Sequence, residues 1–313
     1  MANNSVINVA WCTDANYLEY VATSMISVLM NNTHQSLAFY VFVYDVSDDE
    51  IEKLKSINTC IHVQKIEKSD IEKYSDNLKI KHLNRSIYMR LAVPRLLRDN
   101  VENLIYLDAD TLCFDSISSI SEVNISDVIC AVSHDALTID ENKNAQRLGL
   151  KNTHYFNSGF LYINVKNWIQ HDIENKANTF LQEKGNSLPY PDQDALNIVI
   201  DGNVRFIDNK WNFLFNWFTD EQKETFFYHK NLTPKIMHFT GGRKPWYKEH
   251  AGLAQQLYVF YHHFTPWRDS PLRSYKPRMR PTDYRVYARQ NAKKGHYFIA
   301  IGWYLKYIKS KFH

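Results

Sequence analysis

NLIYLDAD (residues 103–110) predicts a buried β-strand that ends in two acids, Asp108 and Asp110. Upstream, apolar runs alternate with helical patterns: the runs at 6–12, 38–44 and 60–66, the helices at 20–30, 48–56 and 85–97. This alternation predicts an α/β fold with a twisted, largely parallel sheet. Because such sheets bind ligands at the carboxyl ends of their strands, we expect the two acids at a functional edge.

The second half of the chain is less regular. Strands are predicted at 128–133, 159–165 and 235–239, and a helix at 192–200. From about Pro266 the sequence becomes rich in Pro and Arg, and an aromatic, basic helix is predicted over 293–313. We therefore expect a catalytic domain over 1–265 and a C-terminal extension over 266–313.

The net charge of +3 is unevenly distributed along the 313 residues. Residues 270–313 carry 11 Lys and Arg and one acid, Asp283, whereas residues 1–269 carry 26 basic and 33 acidic residues. An acidic body with a basic tail indicates an anionic partner. Lipid, phosphorylated glycan and nucleic acid all fit, but no nucleic-acid-binding motif is present, so we expect no nucleic acid.

The C-terminal helix has the pattern of an interfacial helix. One apolar stripe is formed by Phe298, Ile301, Leu305, Ile308 and Phe312. The aromatic residues Trp303, Tyr304 and Tyr307 and the cations Lys306, Lys309 and Lys311 flank it. We expect this helix to contact an anionic membrane surface; the alternative is a helix that packs on the enzyme's own body.

Cysteine usage and the N-terminus indicate a cytoplasmic protein. The four cysteines have no CxxC spacing, and Cys12, Cys113 and Cys130 lie in or beside apolar runs, which is typical of core residues in a reducing compartment. The first residues lack a basic and apolar secretory pattern. No apolar run approaches the roughly 20 residues that span a bilayer.

Asp108 and Asp110 are candidate metal ligands. At positions i and i+2 of a regular strand, both side chains would point to one face. Two carboxylates so close repel each other, and a divalent cation would relieve the repulsion; hard oxygen ligands suit Mg²⁺ or Mn²⁺. The alternative is a strand-end turn with solvated acids.

HFTGGRKPW (238–246) combines an imidazole with a glycine turn and cations. Glycine at 241 and 242 would let backbone N–H groups approach a phosphate, and Lys244 would add a charge. His238 beside such a loop is a candidate third metal ligand. The alternatives are a core histidine and a turn with surface cations, and the spacing is not that of a Walker loop.

Three further segments carry weaker signals. PDQD (191–194) places acids and an amide at a helix start, for which N-capping is the alternative function. YFNSG (155–159) contains a strand glycine, which favours close ligand approach. TDANY (13–17) follows the first strand without the glycines of a dinucleotide-binding loop, so a dinucleotide oxidoreductase is disfavoured.

Together these segments resemble glycosyltransferase family 8. The matching pieces, in order, are TDANY (13–17), IYMRL (87–91), LIYLDAD (104–110), YFNSGFLYINVKNW (155–168), YPDQDALN (190–197) and HFTGGRKPW (238–246). The resemblance covers roughly residues 6–265. FYHHFTPWRDSPL (260–272) is similar to the extension of that family's lipopolysaccharide-core hexosyltransferases.

The resemblance implies a GT-A fold, a Rossmann-like mixed sheet flanked by helices, here with a basic, aromatic C-terminal helical extension. It implies donor-binding roles for Asp14, Asn16, Tyr17, Arg90, Asp108, Ala109, Asp110, Asn157, Asp192, Gln193, His238, Gly241 and Lys244. Asp108, Asp110 and His238 would hold Mn²⁺, or Mg²⁺, against the UDP diphosphate. His82 and Asp135 would lie nearer the acceptor.

The family's retention of anomeric configuration implies an α-linkage. A front-face mechanism is favoured, in which the leaving phosphate accepts the acceptor proton and Gln193 stabilises an oxocarbenium-like centre. The alternative makes Asp192 a covalent nucleophile, as retaining glycosidases use a carboxylate.

The resulting expectation is an enzyme that moves galactose or glucose from a UDP-sugar to a lipopolysaccharide-core or lipooligosaccharide-core sugar. It would work at the inner face of the cytoplasmic membrane as a peripheral protein. Four alternatives remain: a glycogenin-like self-glucosylating enzyme, another hexosyltransferase acting on a non-lipid glycan, a metal-dependent phosphohydrolase, for which no second metal cluster or base motif is found, and a non-enzymatic binding module.

Overall fold

The computed structural model describes residues 6–67, 86–135, 142–151, 154–228, 233–250 and 252–311. The strands are β1 (Ile7–Asp14), β2 (Leu37–Tyr44), β3 (Ile61–Lys65), β4 (Asn103–Leu107), β5 (Thr111–Cys113), β6 (Cys130–Val132), β7 (Phe160–Asn164), β8 (Val204–Phe206), β9 (Phe213–Leu214) and β10 (Ile236–His238). Each strand predicted from the sequence is found, with its ends shifted by at most three residues.

The helices flank this sheet framework. They are α1 (Leu18–Asn31), α2 (Asp48–Lys55), α3 (Ser86–Leu96), α4 (Asn142–Leu148), α5 (Val165–Gln170), α6 (Ile173–Lys184), α7 (Pro191–Val199), α8 (Asp220–Glu224), α9 (Leu253–His262), α10 (Pro281–Lys293) and α11 (Tyr297–Lys309). Short 3₁₀ turns connect several of them.

Within the described residues, seven strands form one mixed sheet in the order β3-β2-β1-β4-β7-β6-β8. β1 to β4 pair in parallel in this sheet, β7 runs antiparallel to β4 and β6, and β6 pairs in parallel with β8. The carboxyl ends of β1, β4 and β6 therefore meet the amino end of β7 at one edge. Fully buried aromatic and aliphatic side chains, among them Trp11 on one face and Trp168 on the other, fill the two faces.

A second, three-stranded sheet of order β5-β10-β9 lies directly after the acids. β5 pairs antiparallel with β10, so that His238 is opposite Thr111. The backbone N–H of Phe239 also donates to the carbonyl oxygen of Asp110 over 2.9 Å. This pairing brings the end of β10 beside the end of β4, two elements about 130 residues apart in sequence.

The acids themselves do not lie on a regular strand. β4 ends at Leu107, and Asp108 to Asp110 form the turn into β5. The prediction that strand pleating points both carboxylates to one face is therefore wrong. The two carboxylates still lie close together, with an oxygen of each within 4.8 Å of the other, at the turn that connects the two sheets.

The chain after residue 265 packs on the body. Trp267 is buried, and its indole N–H donates to a carboxylate oxygen of Glu50 over 2.9 Å. The predicted single helix over 293–313 is wrong at its start: α10 ends at Lys293, Gly295 adopts a left-handed φ of 78°, and α11 begins at Tyr297. None of the helices in the described residues is long and apolar enough to cross a bilayer.

Candidate functional site

A cleft of about 420 Å³ opens at the edge where β1, β4 and the second sheet meet. Most of the predicted donor-binding residues line it: Tyr17, Arg90, Asp108, Ala109, Asp110, Asp192, Gln193, His238, Gly241 and Lys244. Asp14, Asn16, Asn157 and Asp135 lie next to this cleft rather than in its lining. His82 lies outside the described residues.

Three potential metal ligands converge in the cleft. One ligand atom each from Asp108, Asp110 and His238 lies within 4.8 Å of the others. The Nε2 atom of His238 is 3.2 Å from an oxygen of Asp110, whose other oxygen pairs with the ammonium of Lys244. Two carboxylates and one imidazole are a donor set that suits a divalent cation such as Mn²⁺ or Mg²⁺.

A hydrogen bond to the side chain of Asn212 sets the tautomer of His238. The amide nitrogen of Asn212 donates to the side-chain oxygen of Asn157 over 2.9 Å. The amide oxygen of Asn212 therefore faces Nδ1 of His238 at 3.0 Å and accepts a hydrogen bond from it. In the neutral ring, Nε2 then directs a lone pair toward the carboxylate of Asp110. Such a contact between two acceptors is stable only with a cation or a proton between them, so these residues fit a bound metal ion.

The two carboxylates have opposite electrostatic environments. Burial raises the pKa of Asp108, and the charge of Asp110 adds to this, while Arg90 opposes it. Burial acts on Asp110 too, but Lys244 and His238 outweigh it and hold the pKa of Asp110 well below its ordinary range. Asp110 therefore stays ionised at neutral pH, with a lysine ammonium as its counter-charge.

Gly159 allows the cluster to form. A Cβ atom at this position would lie 2.1 Å from Cε1 of His238 and 3.0 Å from an oxygen of Asp108. The prediction that a glycine here permits close approach of a ligand is thus corrected: the close approach is that of the candidate metal ligands themselves. Any larger residue would push the imidazole out of its buried position.

Arg90 joins two acids of the cleft. Its Nη2 atom is 2.9 Å from an oxygen of Asp108, and its Nη1 atom is 3.4 Å from an oxygen of Asp192. The guanidinium also donates to the carbonyl and hydroxyl oxygens of Ser158 and lies over the ring of Tyr106. A buried cation so held fixes the distance between the strand-end acid and the acid at the start of α7.

Gln193 lies at the centre of an amide network. Its side-chain oxygen accepts from Nδ2 of Asn157 over 3.0 Å and from the backbone N–H of Ser158 over 3.2 Å. Asn157 also donates to Asp135 over 3.0 Å. Burial raises the pKa of Asp135, although the hydrogen bonds from Asn157 and Gln193 oppose the shift. The amide of Gln193 is thus rigidly oriented before any substrate binds.

Asp14 organises the turn after β1. One of its oxygens accepts from the backbone N–H groups of Asn16 over 3.0 Å and of Tyr17 over 3.1 Å. The ring of Tyr17 stands edge-on to those of Tyr20 and Trp246. Tyr17, which is partly exposed at the cleft, therefore presents an aromatic surface held from behind by other rings.

The glycine turn after β10 closes the cleft on its other side. Gly241 has a φ of 78°, a left-handed conformation that favours glycine. Besides its ion pair with Asp110, the ammonium of Lys244 donates to the carbonyl oxygen of Phe239 over 2.8 Å. The turn and Lys244 together place backbone and side-chain hydrogen-bond donors beside the three candidate metal ligands. This arrangement is suited to a phosphate group.

The model of the family described as glycosyl transferase family 8 matches residues 8–250. This chain belongs to that family. It is therefore a glycosyltransferase, as the resemblance implied. The cleft and the Asp-Asp-His cluster lie within the matched residues.

Known relatives agree with this assignment. A lipopolysaccharide 1,2-glucosyltransferase of Escherichia coli K12 is 31% identical over 280 residues, which cover 86% of this chain and 81% of the relative. A lipopolysaccharide 1,3-galactosyltransferase of Salmonella typhimurium is 29% identical over 317 residues, covering 97% and 91%. The crystal structure of the galactosyltransferase LgtC with donor and acceptor sugar analogues matches with a TM-score of 0.72 at 21% identity, covering 84% of this chain and 99% of LgtC. The GT-A fold expected from the sequence is thereby confirmed.

Sequence reasoning missed several residues of this glycosyltransferase site. Asn212 follows a short 3₁₀ turn and carries no motif, so no sequence signal marks it. Asp194 belongs to the PDQD segment, but the sequence did not indicate its structural role. It is fully buried, pairs with Arg147 over 2.7 Å and accepts a hydrogen bond from the hydroxyl of Tyr155 over 2.6 Å. It fastens α4 to the start of α7, beside Gln193.

Proposed function

We propose that this enzyme moves a hexose, galactose or glucose, from a UDP-sugar to a sugar of the lipopolysaccharide or lipooligosaccharide core, with retention of configuration. The observation that carries the proposal is the cluster of Asp108, Asp110 and His238 in one cleft with Lys244 and the glycine turn at Gly241. An acidic metal site beside hydrogen-bond donors for phosphate is the arrangement that a nucleotide-sugar diphosphate requires.

The cluster would hold Mn²⁺, with Mg²⁺ as the alternative. A bound cation would supply Lewis-acid neutralisation of the leaving diphosphate. Gly241 and Lys244 would bind the phosphates, and the ion pair of Lys244 with Asp110 would open as they arrive. Asp14, Asn16, Tyr17 and Ala109 would bind the nucleoside.

The donor sugar would lie between Arg90, Asn157, Asp192 and Gln193. We favour a front-face reaction in which the leaving phosphate accepts the proton of the acceptor hydroxyl. The rigid orientation of Gln193 supports its role as a fixed dipole beside the oxocarbenium-like centre. Asp192 as a covalent nucleophile is the less favoured alternative; its carboxylate lies 3.4 Å from a guanidinium nitrogen of Arg90.

The acceptor proposal rests on the names of the relatives and on Asp135. Both relatives described above carry lipopolysaccharide in their names, one as a glucosyltransferase and one as a galactosyltransferase. Asp135 reaches the cleft through Asn157 and would contact the acceptor, as would His82. Residues 1–265 would form the catalytic domain, and 266–313 the extension that associates with the acceptor or the membrane.

We further propose that α11 docks the enzyme on the anionic inner surface of the cytoplasmic membrane. Four residues of the predicted apolar stripe are exposed: Phe298 (92%), Ile301 (57%), Leu305 (60%) and Ile308 (39%). Phe312 lies outside the described residues. The exposure disfavours the alternative in which the stripe packs on the body. Trp303 does pack inward, on Tyr284 and Tyr287.

The decisive experiment supplies labelled UDP-galactose, UDP-glucose and their two N-acetyl counterparts to the enzyme, in Mn²⁺ and in EDTA. We expect one UDP-hexose to deliver its sugar to a core acceptor only with metal, and Asp110→Asn to retain under a tenth of the activity. Asp127→Asn, an exposed acid paired with Arg205, is the matched control. UDP-sugar cleavage without sugar transfer would instead identify a phosphohydrolase.

A further inference from the structure

The segment that follows the matched family region covers the glycine turn of the cleft. A Cβ atom at Gly242 would lie 3.2 Å from the hydroxyl oxygen of Tyr275 and 3.8 Å from a terminal nitrogen of Arg280. Both residues lie beyond residue 250, where the family match ends. The turn proposed to bind phosphate thus forms part of an interface with the C-terminal extension.

Asp283 stabilises this interface and neutralises one of its cations. Its carboxylate accepts from Nε and Nη2 of Arg243 over 3.1 and 2.9 Å, and from the backbone N–H of Arg280 over 2.8 Å. The hydroxyl of Tyr275 donates to it over 3.3 Å. Arg243, the cation inside the family's own HFTGGRKPW motif, is therefore neutralised by Asp283 and points away from a ligand in the cleft.

Two other arginines remain available beside the turn. The guanidinium of Arg280 is 3.8 Å from Asp283 and its side chain is 68% exposed, so this pair is weak. Arg278 is exposed and donates to the hydroxyl oxygen of Tyr247 over 2.9 Å. In the described residues Arg278 forms no ion pair with a carboxylate, and Tyr247 follows Lys244 by only three residues.

Arg278 also faces the nucleoside side of the cleft. Burial and the charges of Asp110 and Tyr247 raise the pKa of Tyr17, and the positive charge of Arg278 opposes that shift. The guanidinium is thus close enough to act on the Tyr17 hydroxyl. Arg280 therefore lies directly beside the glycine turn, and Arg278 lies on Tyr247, three residues beyond Lys244.

We propose that Arg278 and Arg280 bind the diphosphate of the nucleotide donor, so that the C-terminal extension completes the donor site. The proposal rests on the proposed function of the cleft. Guanidinium groups match phosphate oxygens with two parallel hydrogen bonds, and such charge-assisted bonds are stronger than neutral ones. Because a nucleoside lacks phosphate, these arginines discriminate UDP from uridine.

The test measures binding of UDP and of uridine by calorimetry in Mn²⁺, using the full chain. For Arg278→Ala/Arg280→Ala we expect UDP to bind about 10- to 100-fold more weakly, the range given by one or two charge-assisted hydrogen bonds, with uridine binding unchanged. Arg278→Lys/Arg280→Lys keeps both charges and should lose less. Arg289→Ala, an exposed arginine of α10, removes a charge from the same extension and should leave UDP affinity unchanged.

A double Ala variant with wild-type affinity for UDP would overturn the proposal. If that variant at the same time lost binding to phosphatidylglycerol vesicles, both arginines would be assigned to lipid phosphate. Failure of wild-type enzyme to bind UDP would contradict the proposed function of the cleft instead. Unchanged thermal unfolding of the Ala variant excludes misfolding as the cause of its loss.

Discussion

The Nδ1 atom of His238 lies 3.0 Å from the side-chain oxygen of Asn212. Asn212 is fully buried and is itself held by Asn157, so this contact fixes both the rotation and the tautomer of the imidazole. A neutral histidine that donates its one ring N–H to a fixed acceptor keeps its other nitrogen free for a metal ion. The geometry of the cluster therefore depends on a residue outside the recognised motifs.

Asn212→Leu should weaken Mn²⁺ binding by about 10- to 100-fold, the usual cost of losing an outer hydrogen-bond partner of a metal-binding histidine. The change keeps the branching of the side chain but removes the acceptor, so His238 loses the contact that fixes its rotation. Calorimetric titration with Mn²⁺ measures the effect, and Asn216→Leu, at an exposed position in the following turn, is the control. Wild-type metal affinity in a folded Asn212→Leu protein would contradict this function.

Gly159→Ala should abolish transfer activity. The added methyl would lie 2.1 Å from Cε1 of His238, and the buried ring can avoid it only by leaving the cluster. We expect loss of Mn²⁺ affinity together with activity. Gly302→Ala, where nothing lies within 4 Å of the new Cβ, is the matched control and should retain metal binding. An active Gly159→Ala enzyme would show that the imidazole is not needed at this position.

Gln193→Ala should lower kcat much more than it changes KM for the donor, because its amide is proposed to act on charge that develops in the transition state. Steady-state kinetics with the preferred UDP-hexose separates the two parameters. A higher KM at unchanged kcat would make Gln193 a binding residue only. Trapping of a glycosyl adduct on Asp192 would favour double displacement.

The sequence was sufficient to predict a largely parallel sheet and seven of the strands, because buried strands appear as apolar runs; it did not predict the strand order or the short strands β5, β8 and β9. It also predicted that Asp108, Asp110 and His238 belong together, since those residues lie in recognisable motifs. It could not predict how they meet. The strand-pleat argument was wrong, and the cluster instead depends on a turn at 108–110 and on the pairing of β5 with β10.

The contacts of the C-terminal extension were also beyond sequence reasoning. The Pro- and Arg-rich composition from about Pro266 indicated a C-terminal extension but not its contacts: Tyr275 and Asp283 are buried, and α10 begins at Pro281. Asp283 appeared only as the single acid in a basic tail. Its partner Arg243 is 40 residues away, and no local pattern relates the two.

Docking of the extension should be sensitive to acid. Although burial opposes it, the Arg280 N–H and the Arg243 guanidinium hold the pKa of Asp283 below its ordinary value. The carboxylate therefore stabilises the docked state fully above the unfolded pKa of about 4, and this stability is lost as pH falls through the lower folded value. Once the rates are corrected for intrinsic exchange at each pH, hydrogen exchange should show weaker protection of residues 273–293 below about pH 4 than at pH 7.

Asp283→Asn should loosen the same residues already at pH 7 and remove the acid-dependent step. Asp269→Asn, a fully solvated acid in the same extension, should leave both states unchanged. Acid-dependent exchange that persists in Asp283→Asn would assign the step to another group.

Replacement of the exposed apolar residues of α11 should release the enzyme from anionic membranes. Phe298→Ser/Ile301→Ser/Leu305→Ser removes the stripe without touching Trp303, which packs on Tyr284 and Tyr287 and ties α11 to α10. Burial of apolar side chains at the bilayer surface and about 1 kcal/mol per nearby cation both contribute to binding.

We therefore expect the triple variant to lose vesicle binding at all salt concentrations. Lys306→Gln/Lys309→Gln should weaken it chiefly at low salt, because high salt screens the same charges in the wild type. Val259→Ser/Phe264→Ser, which removes exposed apolar groups from α9 and the turn that follows it, is the control. If the α11 variant binds phosphatidylglycerol vesicles like the wild type, this helix is not the membrane contact. If only the α9 variant is released, that surface is the contact instead.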